Sequence, residues 1–363
     1  MTTPLLEVVI AVHAVTRPID RAVSSLLSGE PASGVRVTVV CHGIDASEIA
    51  AVVGRPESAS LRYVEYRDGV PSPAGPFNHG LRSAEGQYVA IMGSDDYVEP
   101  GAVRAWTDAL RSRRPDVALM RLRRQGGPVL ASPLTRIGRT RRLDAVKDRL
   151  FYRTAPLALI RRDLLTDRAL SLTEGLRTGD DMAMSARLWT EAPRVDLLHD
   201  APCYVIGADA GDRITEASMT VAEQLRAVEL LVGDGWWRAL APRVRTSLGV
   251  KLLRVHVLDA LLGRPSVDAW APRERADLAR VVRAVLADAP AAVEPLSRAD
   301  RVLIETASGE PPAEELVAAI ARRKNAGRLD TILPRRLRRM FDRESTLVRF
   351  VLYRVRRGGA ERG

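Results

Sequence analysis

Apolar and polar positions along the first half of the chain alternate between two periods. Leu6–Val12 is a continuous run of β-favouring residues, and Ile19, Val23, Leu26 and Leu27 then recur at helical spacing across Ile19–Leu27. The exchange repeats. A strand is expected over residues 35–41, a helix from about 46 to 53, a strand over 61–66, a Pro/Gly-rich loop over 68–76 and a helix near 77–83. Val89, Ala90, Ile91 and Met92 form a fourth apolar strand, and residues 102–110 read as a helix after Pro100-Gly101. Further strands are expected over residues 116–122, 195–199 and 202–206, with Met182, Ala186 and Trp189 on one face of a helix between them. Strand and helix in alternation predict a mostly parallel sheet with helices on both faces, an α/β fold.

From about Thr220 the period is helical throughout. Residues 221–232, 236–261, 272–287 and 312–323 carry helical apolar spacing, broken by Pro242, Pro265, Pro290 and Pro311-Pro312. This gives three parts: an α/β domain over 1–218, an all-α domain over 219–330 and a tail over 331–363. The helical part carries no catalytic pattern, and a homo-oligomer contact is one role open to it. In the tail, Leu337, Met340, Phe341, Leu347, Val348, Val351 and Val355 fall at helical spacing among arginines. Residues 334–363 hold ten arginines against three acids, so most of the formal charge of +10 belongs to that segment. A basic amphipathic helix suits an anionic membrane surface, and packing of the stripe on the helical domain is the competing reading. With the body near neutral, no nucleic-acid partner is expected.

At 363 residues, 46% hydrophobic and 28% charged, the composition is that of an ordinary globular protein. Cys41 and Cys203 fit no metal spacing and no disulfide framework, which suggests a reducing compartment. No leader pattern or run of ~20 apolar residues is visible. The expectation is a cytoplasmic protein, peripheral at the inner face of the plasma membrane if the tail binds there.

Candidate chemistry concentrates at two acidic pairs. Asp95 and Asp96 follow the fourth strand at once, where an open α/β sheet places its ligands. Paired carboxylates on a loop are hard oxygen ligands for Mg²⁺ or Mn²⁺ shared with phosphates; a turn or helix cap is the alternative. Gly179-Asp180-Asp181 opens the helix that carries Met182, and there too both acids would serve as caps. Arg136, Arg139, Arg141 and Arg142 cluster beside a Gly/Pro-rich connection, as an anion site or as a solvated face.

An ordered series of motifs resembles the inverting, family 2 glycosyltransferases of GT-A fold. Val8-Val9-Ile10-Ala11-Val12-His13 stands where that family opens with an apolar strand ending Pro-Val-Tyr. Phe77-Asn78-His79-Gly80-Leu81 and then Gly86-Gln87-Tyr88-Val89-Ala90 match its Arg-Asn-x-Gly-Leu and Gly-x-Tyr-Ile/Val-Ala patterns. Met92-Gly93-Ser94-Asp95-Asp96-Tyr97 matches its DxD-type metal segment, and Gly179-Asp180-Asp181 its Gly-Glu-Asp motif. The resemblance implies Asp96 on a divalent metal, with Asp95 supporting it or touching the donor ribose. Asp181 would be the catalytic base and Asp180 an acceptor-orienting acid. Ala11, His13, His42, Asn78 and Arg213 would face the donor.

Three positions depart from the family. His42 stands where a carboxylate usually accepts the uracil N3 proton; an imidazole accepts one such bond, so UDP- or dTDP-sugars fit as donors. Phe77 replaces a frequent arginine, and Gly93 replaces the first acid of the metal segment. The expected activity is metal-dependent transfer of a sugar to a hydroxyl acceptor, an envelope glycan, polymer or lipid-linked chain. A catalytically silent scaffold and a nucleotidyltransferase are the alternatives.

Overall fold

The computed structural model describes residues 3–28, 34–209 and 219–360, the last four without their side chains. The chain divides into two compact units. One comprises residues 1–144, 153–175 and 183–214; the other comprises 145–152, 176–182 and 215–363.

The first unit is built on a seven-stranded sheet. Its elements run β1 (Leu6–Val12), α1 (Ile19–Leu27), β2 (Val35–His42), α2 (Ala46–Val53), β3 (Leu61–Tyr66), α3 (Ala74–Ser83) and β4 (Tyr88–Gly93). They continue with β5 (Tyr97–Val98), α4 (Ala102–Arg113), β6 (Val117–Leu119), β7 (Leu122–Arg124), β8 (Ala158–Arg161), α5 (Arg162–Asp167), α6 (Met182–Glu191), β9 (Val195–Leu197) and β10 (Tyr204–Ile206). Strand order is β3-β2-β1-β4-β8-β6-β9, and β5-β10-β7 form a second, small sheet. Among the described residues, only β8 runs antiparallel to its neighbours in the large sheet. The central strands are apolar on both faces because helices cover both; Val8, Ile10, Val37, Val39 and Ala90 are fully or almost fully buried.

The expected strand over 116–122 is two strands in two sheets. Leu119 still pairs with Ala158, whereas Arg121 O accepts from Tyr204 N, so the chain changes sheets at Met120–Arg121. Unbroken apolarity hides that crossing from a periodicity reading. The helix before β4 also begins earlier than expected, at Ala74, because Pro76 is tolerated within a first helical turn.

The second unit is helical: α7 (Val221–Gly233), α8 (Gly235–Ala239), α9 (Pro242–Lys251), a π-helical turn (Leu252–Val257), α10 (Leu258–Leu262), α11 (Pro272–Asp288), α12 (Arg298–Ser308), α13 (Ala313–Lys324), α14 (Arg328–Ile332) and α15 (Thr346–Ala360). Thr220 and Glu223 form a reciprocal capping box that starts α7. The long helix expected over 236–261 is interrupted, first before Pro242 and then by the π turn. α12 was not expected from the pattern.

The tail is joined to this unit through a buried acid. Glu344 accepts from Tyr152 Oη at 3.1 Å and Ser247 Oγ at 2.9 Å, with Arg254 Nη1 3.5 Å away. Arg254 and Arg149 also donate to the carbonyls of Glu344 and Arg343. The apolar stripe is therefore not one helix: a 3₁₀ turn over Leu337–Phe341 ends before Glu344, and α15 starts after Ser345.

Candidate active site

Strand register brings the carboxyl ends of β1–β4 to one edge. Ala11 lies opposite Val40 and Gly93, and His42 opposite Tyr66. Strand order reverses between β1 and β4, which is the switch point where doubly wound sheets take ligands. His13 leaves β1 here, and Asp95 and Asp96 leave β4 here.

Asp96 is held from two sides. Tyr204 Oη donates to Oδ2 at 2.5 Å and the Gly207 N–H to Oδ1 at 2.8 Å. Burial raises the Asp96 pKa, against the lowering effect of those two bonds. Both acids fold back over Gly93: a Cβ there would stand 2.7 Å from Asp96 Oδ2 and 3.2 Å from Asp95 Oδ1. The missing first acid of the metal segment thus leaves room that the remaining two occupy. Asp95 Oδ2 lies 3.9 Å from Arg17 Nη1, and Arg21 Nη2 donates to the Asp95 carbonyl at 2.6 Å. Arg21 also pairs with Asp209 and stacks over Tyr97. Motif reading missed both arginines, since they match no pattern; their signal was only a cation in the turn after β1 and another one helical turn later.

Among the described residues no cluster of three or more His, Cys, Asp or Glu forms a self-sufficient metal site. A Mg²⁺-type ion asks less of the protein: one or two carboxylates, with phosphate oxygens and water completing the shell. Each Asp96 oxygen keeps a lone pair beyond its hydrogen bond, so Asp95 and Asp96 fit an ion shared with a diphosphate.

At the end of β2, His42 Nε2 lies 2.7 Å from Asp68 Oδ1. The carboxylate absent from position 42 therefore comes from the loop after β3. The Tyr66 ring sits between those of His42 and His79, at centroid distances of 5.8 and 4.9 Å. Asn78, expected to face the donor, makes its contacts within the first unit. It is buried; its amide donates to Leu172 O and Glu174 Oε1, and its carbonyl accepts from Leu172 N. With both N–H groups engaged inside the protein, it braces the 172–174 segment. Arg213 lies outside the described residues.

The second acidic pair belongs to the second unit. Gly179 has φ +75°, and a Cβ there would meet Ala227 Cβ of α7 at 2.8 Å, so a side chain is excluded on both counts. The turn it makes sets Asp180 and Asp181 immediately before α6, where the helix dipole favours negative charge. Burial and the neighbouring Asp181 push Asp180 up to about 6. Burial raises Asp181 too, opposed by the charge of Lys251. Lys251, at the end of α9, is 2% exposed. Burial lowers it to about 8 although Asp181 attracts it, and its Nζ lies 2.6 Å from His256 Nε2 across the π turn. Burial and the Lys251 charge drop His256 to about 3, so the imidazole is neutral and accepts from the ammonium. Neither residue stands out in sequence; only the π turn brings positions 251 and 256 together.

A sheet of this order with acids at its switch point has the GT-A architecture. The model of Glycosyl transferase family 2 matches residues 8–168, and the chain carries a family 2 glycosyltransferase domain. Over 180 residues it is 22% identical to the poly(ribitol-phosphate) beta-N-acetylglucosaminyltransferase TarS of Staphylococcus aureus, covering 48% of this chain and 31% of TarS. It is 20% identical over 145 residues to a poly(ribitol-phosphate) beta-glucosyltransferase of Bacillus spizizenii, covering 40% of this chain and 23% of that one. The matched segment thus spans less than a third of either relative. The crystal structure of S. aureus TarS 1-349 in complex with UDP-GlcNAc superposes with a TM-score of 0.76 at 17% identity, covering 88% of this chain and 91% of that one. That likeness establishes the GT-A fold and extends into the helical part.

Proposed function

We propose that this chain is an inverting glycosyltransferase that moves a sugar from a UDP- or dTDP-sugar to a hydroxyl of an anionic polyol-phosphate polymer. The observation that carries the reading is the electrostatic setting of Asp181: a half-buried carboxylate at a helix start, opposed by one buried ammonium. Burial raises the proton affinity of such a group while the ammonium favours its ionised form, which suits a general base. The acceptor follows the substrates named for TarS and the Bacillus enzyme, both poly(ribitol-phosphate).

On the donor side, a carboxylate partner fixes the histidine tautomer. With the Nε2–H of His42 donating to Asp68, Nδ1 is left as an acceptor for the imide N3–H of uracil or thymine. Ala11 and His13 line the same edge. Arg17 and Arg21 supply the positive charge that Phe77 lacks and face the diphosphate. Asp95 and Asp96 would hold Mn²⁺ or Mg²⁺, which when bound neutralises charge on the departing nucleoside diphosphate.

On the acceptor side, Asp181 takes the hydroxyl proton as that oxygen bonds to the anomeric carbon. The bond from that carbon to the diphosphate oxygen breaks on the opposite face, and its electron pair leaves with the nucleotide. Configuration inverts as a result. Asp180, protonated below about 6, orients the acceptor by a hydrogen bond. The enzyme would work in the cytoplasm, with α15 against the inner membrane face; no helix among the described residues is long and apolar enough to cross a membrane.

The direct assay supplies UDP-GlcNAc, Mn²⁺ and poly(ribitol phosphate). The expected result is labelled polymer that is lost on chelation with EDTA. Absence of transfer or hydrolysis from every UDP- and dTDP-sugar tried would refute the reading.

A further inference from the structure

At the β9 edge of the large sheet, four arginines surround one hollow. Arg139, Arg141, Arg142 and Arg194 line a cavity of about 370 Å³. Its floor is fixed by the backbone. Leu197 N donates to Thr140 O at 2.7 Å, Leu143 N to Val195 O at 2.8 Å, and Arg142 N to Asp196 Oδ1 at 2.9 Å. These bonds lace residues 140–143 along the edge strand. Arg194 is clamped by the fully buried Asp196, with contacts of 3.1 and 2.7 Å, and donates to Arg113 O. Asp196 is thus already engaged by Arg194 and by the Arg142 N–H. Among the described residues no acid pairs with the guanidinium of Arg139, Arg141 or Arg142.

Like charges gathered around one hollow repel each other, and an exposed arginine usually finds a counter-charge or turns away. Here the lacing holds three of them in place without one. Guanidinium groups match phosphate oxygens in planar, bidentate geometry, and the hollow is large enough for a phosphodiester with its flanking polyol. Along the sheet, β9 is separated from β1 by β4, β8 and β6, four strand spacings or roughly 19 Å. The hollow is therefore remote from the switch point at β1 and β4.

We propose that this hollow is a second, distal binding site for a phosphodiester of an anionic polyol-phosphate chain. Resting on the acceptor class proposed above, it would hold a phosphate of the polymer some repeats away from the reacting hydroxyl. Long chains gain from the site and very short ones do not.

The test is equilibrium binding of fluorescently labelled poly(ribitol phosphate) to the full chain, wild type against the triple variant Arg139→Ser/Arg141→Ser/Arg142→Ser. UDP binding and thermal unfolding are followed in parallel. The expected result is about a tenfold weaker Kd for long polymer, equivalent to ~1.4 kcal/mol, and a shallower salt dependence. Kd for a two-repeat oligomer and for UDP stays unchanged. The corresponding triple Arg→Lys variant keeps the charge but not the planar fork, so it restores the salt dependence and only part of the affinity, which separates loss of charge from misfolding. Equal polymer affinity in wild type and Ser variant overturns the proposal. So does a wild-type hollow that binds phosphatidylglycerol vesicles or inorganic phosphate but not the polymer. Loss of UDP binding in the wild type would instead count against the donor reading and leave the polymer result standing.

Discussion

At the scale of single residues, burial and the charge of Lys251 pull the Asp181 carboxyl in opposite directions. Burial drives it toward the neutral acid, and the ammonium acts against that. Asp181 before α6 attracts Lys251, and His256 lies against the lysine across the π turn. The charged residues of α7 are engaged elsewhere, Glu223 with Arg177, Arg226 with Glu229, and Glu229 with Arg280. Replacing Lys251 with Met removes the opposing charge, so the Asp181 pKa rises further and the base stays protonated to higher pH. The acidic limb of kcat/KM should then move up by about one unit, with the plateau rate largely retained. Burial lowers Lys251 itself to about 8. A pH–rate profile in which the limb does not move would remove Lys251 from this role. Sequence motifs were enough to single out Asp95, Asp96, Asp180 and Asp181. Lys251, Asp68, Arg17 and Arg21 were invisible because their proximity is created by turns and register.

At the scale of elements, hydrophobic period located β1, α1, α2 and β3 to the residue, since each is bounded by a turn and covered on a predictable face. It failed where tertiary context redirects an apolar run: at Met120–Arg121, where one strand becomes two, and at α12, whose short amphipathic pattern lies between prolines. The tail falls between these cases. Its stripe was legible, but burial of Glu344 divides it and anchors it to the helical unit. The remainder of α15 still presents Phe350, Val351, Tyr353 and Val355 to solvent beside Arg354. Apolar residues flanked by arginine suit the headgroup boundary of an anionic bilayer, with roughly 1 kcal/mol from each basic residue near the surface. Full-length protein should therefore co-sediment with vesicles rich in phosphatidylglycerol, and a chain ending at Ser345 should not, with both remaining in the supernatant over phosphatidylcholine. Equal recovery of the two proteins on anionic vesicles would dismiss membrane contact through α15.

At the scale of the whole molecule, the chemistry is divided between two units. The first carries the doubly wound sheet, the acids at its switch point and the proposed nucleotide contacts; the second carries Asp180, Asp181 and the buried pair beneath them. The segment 176–182 clusters with the helices although it lies between stretches of the α/β unit, and that placement could not be read from sequence order. On the proposed roles, donor retention and proton removal should be separable by mutation. The most direct measurement takes Asp181→Asn, which keeps shape and removes the base, and follows both donor affinity and sugar transfer under identical conditions. Transfer is expected to fall by about 10²–10⁴-fold while the Kd for UDP stays within about twofold of wild type. Transfer at the wild-type rate in that variant would contradict the assignment of Asp181 as the base.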